Sequence, residues 1–203
     1  MFPNQYKNHL AQAIQNRGFG LVELLVTFSI LVLVLGSVLV RQDSFNSAVL
    51  LRNEAYEIAL HAREVQMYAV SILSSADAYR GVYGLYFDKT GTNKYSYKTY
   101  RDTDNDSYYS PAEEFGVQGK IDPRFEIGDI RIIDSSGAVN SRDYVAVIFQ
   151  RPNFDARFFR GVGAGNEISN VSSLEVDLIV RSDSSKKRTI EITKTGQITV
   201  KTP

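Results

Sequence analysis

The sequence predicts an α+β fold: one long N-terminal α-helix, apolar in its first half and amphipathic in its second, packed on a mostly antiparallel β-sheet head. Three observations carry this. An apolar run covers residues 19–40. Apolar residues then recur at three- and four-residue intervals to about residue 80. From residue 82 onward the pattern turns to short alternating segments, rich in β-branched and aromatic residues and separated by Gly, Asn, Asp and Ser.

The first element reads "FGLVELLVTFSILVLVLGSVLV", Phe19 to Val40, fenced by Arg17 and Arg41. About 20 apolar residues cross the hydrocarbon core of a bilayer, so the run suits a single transmembrane helix. A removed secretory signal has a shorter apolar region, about 7–15 residues, and a small-residue cleavage site. No such site precedes "RQDSF". The first eighteen residues carry Lys7 and Arg17 and no acid, whereas Asp43, Glu54 and Glu57 follow the run. Basic flanks stay on the cytoplasmic side, which predicts a cytoplasmic N-terminus and an exported C-terminal part; Arg41 alone opposes this.

The second half of the helix, residues 41–80, is amphipathic. Leu51, Ala55, Ile58, Ala59, Ala62, Val65, Ala69 and Ile72 mark one face, and Arg52, Glu54, Glu57, Arg63, Glu64 and Gln66 the other. No proline interrupts residues 19–80, and Gly81 is a natural stop. His61 on this helix reads as an ordinary surface or groove residue. Residues 81–203 form the head. Its strands are "VYGLYF", "KYSYKTY", "FEIGDIRII", "YVAVIF", "LEVDLIV", "RTIEIT" and "QITVK". The last two flank "KTG", a short hairpin signal.

Composition narrows the function. Of the 203 residues none is cysteine, which removes disulfides, thiolate nucleophiles and thiolate metal sites. Two histidines give little material for a zinc site or a catalytic triad. Lys plus Arg and Asp plus Glu both number 23, so overall charge selects no partner. The chain offers no catalytic constellation and reads as a non-enzyme.

The informative residue of the apolar run is its one acid, Glu23. A carboxylate at membrane depth is costly and points to function. A position near the interface and near the helix N-terminus eases that cost without explaining the residue. A partner would explain it. Cutting the chain between Gly18 and Phe19 creates an α-amine at the membrane edge, largely protonated at neutral pH. One subunit's amine could then neutralise Glu23 of its neighbour.

At these residues the chain resembles a known family. "RGFGLVELL" is similar to the cleavage and methylation motif of type IV prepilins and type II secretion pseudopilins. In them a basic leader ends in Gly, followed by Phe, by Glu as fifth mature residue, and by an apolar helix. The resemblance implies a pilin-like fold, removal of leader residues 1–18 by a prepilin peptidase, and N-methylation of Phe19. It also implies filament assembly through Phe19 and Glu23, with other pilin or pseudopilin subunits as partners. Many pilins carry a proline near the end of the apolar stretch; here Val40 lies in that region. The closing "KKRTIEITKTGQITVKTP" resembles, more loosely, the last hairpin of H-type minor pseudopilins and FimT-type minor pilins.

Three stretches of the head are candidate sites. In "DTDNDSYYSPAEE", Asp102, Asp104 and Asp106 alternate, and Tyr108, Ser110 and Glu113 fall at positions 7, 9 and 12 of an EF-type calcium loop. Ser107 stands where that loop normally has glycine, and a strand precedes it. The loop is either a free-standing Ca2+ site or a solvated acidic turn. "GVGAGNE", residues 161–167, lacks the lysine and the helix of a phosphate loop and reads as a hairpin turn. Arg151, Arg157 and Arg160 lie among phenylalanines, and Lys186, Lys187 and Arg188 lie in an expected turn. Such interleaving can grip nucleic acid, although neighbouring acids dilute it and alternating strand faces produce the same mix.

The leading expectation is a structural minor pilin or pseudopilin subunit. It would sit in the cytoplasmic membrane as a single-pass protein before joining a type IV pilus or type II secretion pseudopilus. A DNA-binding minor pilin of an uptake filament and a membrane-anchored β-domain that never assembles are the alternatives.

Overall fold

A computed structural model describes residues 20–71, 81–149, 154–160 and 167–201. They form a helix and ten strands in an α+β arrangement. The helix, α1, covers Leu21–Val70. The chain divides between Ser44 and Phe45 into two compact units.

In the first unit, every residue from Leu21 to Leu39 is exposed, and the segment is long and apolar enough to cross a membrane. Two of its hydroxyl side chains bond back to the helix: Thr27 donates to the Leu24 carbonyl and Ser29 to that of Leu25. This is how polar side chains are satisfied where no water is present.

The second unit contains the rest of α1 and two five-stranded sheets in which every paired neighbour is antiparallel. The strands are β1 Val82–Asp88, β2 Ser96–Asp102, β3 Gly119–Lys120, β4 Phe125–Asp134, β5 Val139–Arg142, β6 Tyr144–Phe149, β7 Ala156–Arg160, β8 Val171–Val180, β9 Asp183–Thr193 and β10 Ile198–Lys201. The first sheet has the order β3-β2-β1-β6-β7, the second β10-β9-β8-β4-β5.

One large core joins α1 to both sheets. Leu51, Ala55, Ile58, Ala59, Ala62, Val65 and Ala69 are buried against Leu85, Phe87, Val147 and Phe149 of the first sheet and Ile130, Leu174, Val176 and Ile190 of the second. These seven helix residues are the apolar face expected from their spacing; Ile72 lies outside the described residues. Gln66 departs from expectation. It is buried, and its amide donates to the carbonyls of Phe154 and Gly196, both at 2.9 Å. Spacing alone assigned it to the solvent face, whereas two carbonyls outside the strands need a donor there. Arg63 similarly donates to the Ile198 carbonyl. His61 bonds the Tyr97 hydroxyl at 2.9 Å, as a half-buried groove residue.

The antiparallel head expected from the sequence is built as two sheets. β3, β5 and β7 were not anticipated: β3 has two residues, β5 carries polar side chains, and β7 hides within an arginine-rich stretch. Lys186, Lys187 and Arg188 lie within strand β9, not in a turn. There they pair with β8, Lys187 opposite Ile179 and Arg188 opposite Leu178, which makes an exposed, charged strand end legible only through its neighbour.

β1 and β6 are buried on both faces. A second, smaller core forms on the outer face of the first sheet from Val82, Tyr86, Tyr100, Ala146, Ile148 and Phe159. A central strand covered on both sides reads as a continuous apolar run, and this holds for "VYGLYF" and "YVAVIF".

Candidate functional site

Two regions carry residues whose chemistry the fold itself does not require. The first is the start of α1. Glu23 lies in its first turn, where the exposed amides and the helix dipole favour a negative charge. It is exposed, among exposed Leu, Val, Ile and Phe side chains, and makes no hydrogen bond or ion pair among the described residues. Gly18 and Phe19 lie outside the described residues.

The second is the acidic loop between β2 and β3. Asp102 ends β2 and is only 7% exposed; one of its oxygens accepts the Asp106 amide at 3.2 Å and the other the Ser107 amide at 2.9 Å. Asp104 also accepts the Asp106 amide, and Asp106 accepts that of Tyr108. The three aspartates bring one carboxylate oxygen each to within 4.8 Å of one another. Ser107 takes the left-handed conformation, φ 64°, at the place where an EF-type loop has glycine, and Asn105 does so as well. The substitution of glycine by serine therefore leaves the sharp turn intact.

Past the turn, Ser110 precedes a short 310 turn, Pro111–Glu113, without capping it through its side chain. Glu113 is 6% exposed. One of its oxygens accepts the amide and hydroxyl of Thr103 at 2.7 and 3.0 Å. The other is buried with no partner. Burial raises the carboxyl of Asp102 above its usual range; backbone hydrogen bonds oppose this, and the charges of Glu113 and Asp106 reinforce it. Burial also raises Asp106, where Asp104 and Glu113 add to the effect.

The loop is also a cover. Tyr109 stacks on Tyr86, with centroids 4.5 Å apart, and meets Tyr100 edge-on at 5.7 Å. Its hydroxyl donates to Glu114, which Lys98 also pairs. Tyr100 in turn lies over its cross-strand partner Gly84. Tyr86, Asp88, Lys98, Tyr109 and Pro111 border a cavity of about 280 Å³. Sequence reading missed this aromatic group. Its signal was Gly84 inside an otherwise bulky strand, since a strand glycine often marks close approach by a neighbour.

The described candidate basic residues fall on strands of two different sheets. β7 belongs to the first sheet and β9 to the second. Arg157 pairs with Glu167 at 2.7 Å and lies over the Phe159 ring. Lys187 pairs with Asp177 and Lys186 with Asp183. Arg160 is exposed at the end of β7, Arg188 is half-buried in β9, and Arg151 lies outside the described residues.

Residues 15–39 match the family model described as the prokaryotic N-terminal methylation motif. The N-terminal segment is therefore a prepilin-type signal, the kind carried by type IV pilins and pseudopilins. The motif supports a type IV pilin-like protein processed as a prepilin and anchored through its apolar helix. No curated protein and no solved structure matches the chain.

Proposed function

We propose that this chain is a structural subunit of a type IV pilus or type II secretion pseudopilus. A prepilin peptidase removes residues 1–18 after Gly18 and methylates the new amine of Phe19. The protein waits in the cytoplasmic membrane with its head, residues 81–203, exported. It then enters a filament through residues 19–40. The irregular, loop-bearing head suits a minor subunit that meets other subunits or cargo.

The observation that carries this reading is Glu23: an exposed, unpartnered carboxylate in the first turn of α1, within the exposed apolar segment Leu21–Leu39 and inside the methylation motif. Within a bilayer such a group calls for an opposite charge from elsewhere. The amine of a neighbouring subunit's Phe19 supplies it, and pairing would draw one helix against the next.

The test is incorporation of Glu23→Ala into sheared filaments of the native host. The variant is expected to accumulate in the membrane, processed and with an intact head, and to be missing from filaments. Normal incorporation of the variant would remove Glu23 from assembly.

A further inference from the structure

We propose that the loop from Asp102 to Glu113 is a calcium site, and that the bound ion holds Tyr109 over the outer face of the first sheet. This is independent of filament assembly and stands or falls by itself.

The donor set is hard oxygen throughout. Asp102, Asp104 and Asp106 each place an oxygen within 4.8 Å of the other two. Two oxygens that ligate one ion at about 2.4 Å lie no more than about 4.8 Å apart, so the three can share an ion. Three clustered aspartates occur on many surfaces without a metal. What sets this cluster apart is Glu113. Its carboxylate is pinned by Thr103, between the first two aspartates, and its free oxygen is buried without a donor. Its charge reaches both Asp102 and Asp106. None of the ion pairs among the described residues involves these four carboxylates.

The neighbouring orphans point the same way. Four buried side-chain atoms among the described residues have no partner, and three of them are Glu113 Oε2, Tyr108 Oη and Tyr100 Oη. Tyr108 belongs to the loop and Tyr100 to the floor beneath it. Buried polar groups are nearly always satisfied, so a cluster of exceptions beside four carboxylates marks a place for a polar occupant. A divalent cation offsets the repulsion and gives the free Glu113 oxygen its partner. Asp104, Asp106, the Tyr108 carbonyl and water complete a shell of six to eight oxygens, which suits calcium better than the strict octahedron of magnesium. Because Tyr109 lies between the ligands, fixing the loop fixes the ring stacked on Tyr86.

The chain contains no tryptophan, so its tyrosines are the antenna for bound terbium. Full-length protein in detergent, stripped with chelator, is titrated with Tb3+ and then with Ca2+ or Mg2+. Saturable emission, displaced by calcium and not by equal magnesium, is expected. Glu113→Gln and Asp104→Asn should each weaken binding at least tenfold; Asp104 is exposed, and asparagine keeps its acceptor oxygen, so that variant folds. Calcium should also slow amide exchange across residues 103–117. No saturable emission at millimolar ion, emission unaltered in both variants, or equal displacement by magnesium would overturn the calcium site. Calcium binding without a change in exchange would overturn the hold on Tyr109.

Discussion

Replacing Arg131 with methionine tests the polar face of the second sheet. Arg131 on β4 donates to Asp177 at 2.6 and 2.8 Å and to Glu175 at 2.9 and 3.2 Å, both on the neighbouring β8. Asp177 is the sensitive partner, because its side chain is only 4% exposed. Burial pushes its carboxyl up, but hydrogen bonds from Arg131, Thr189 and Lys187 together outweigh this and hold it at about 2. A carboxyl moved from 3.8 to about 2 represents roughly 2 kcal/mol of stability at neutral pH. Breaking a buried pair costs about 3–5 kcal/mol when nothing replaces the partner. Lys187 at 2.9 Å and Thr189 at 2.6 Å remain, so about 2–3 kcal/mol is expected here.

The sign with pH follows from the depressed carboxyl. Asp177's contribution is fully present above the unfolded value near 4 and disappears as pH falls through about 2. Urea unfolding of the full-length protein in detergent, followed by near-ultraviolet circular dichroism of the tyrosines, reads both effects. The variant should unfold at lower urea at pH 7, and the gap should narrow steadily between pH 4 and pH 2. A midpoint shift worth less than about 0.5 kcal/mol at pH 7, the scale of an ordinary surface change, would refute the reasoning. So would a gap that persists undiminished at pH 2.

Three further outcomes are expected. Gly84→Ala places a methyl group 2.5 Å from the ring of fully buried Tyr100, and should lower stability by about 1–3 kcal/mol, visible as a reduced Tm. Gln66→Ala strips a donor from the Phe154 and Gly196 carbonyls and should cost about 1–3 kcal/mol, with faster amide exchange around residues 154–156 and 194–197. Gly196→Ala should be worse than a surface change, since residue 196 has φ 79° and the added methyl would overlap the Phe154 carbonyl; recovery of wild-type Tm would contradict the register of that corner.

The sequence made the helix and its buried stripe legible because a period near four residues survives without knowledge of the partner. Leu51 through Val65 could be assigned inward from spacing alone. The central strands were equally plain, since burial on both faces leaves continuous apolar runs. The edges were not. β5, three of whose four residues are polar, and β3, with only two residues, exist because neighbours supply their hydrogen bonds. The division into two sheets depends on pairings distant in sequence, such as β1 with β6 and β4 with β8. For the acidic loop, the spacing of its carboxylates was legible. The orphaned Glu113 oxygen and the Tyr109 stack were not, because both are products of burial. The basic residues illustrate the reverse: within a cationic pattern along the chain, Lys187 pairs with Asp177 on the neighbouring strand and Arg157 with Glu167.

The central claim is prepilin processing, and the intact mass of the protein taken from its native membrane tests it most directly, together with its N-terminal sequence. A mature chain that begins at N-methylated Phe19, lighter by residues 1–18, is expected. A chain that retains Met1 and an unmodified Gly18–Phe19 bond would contradict it.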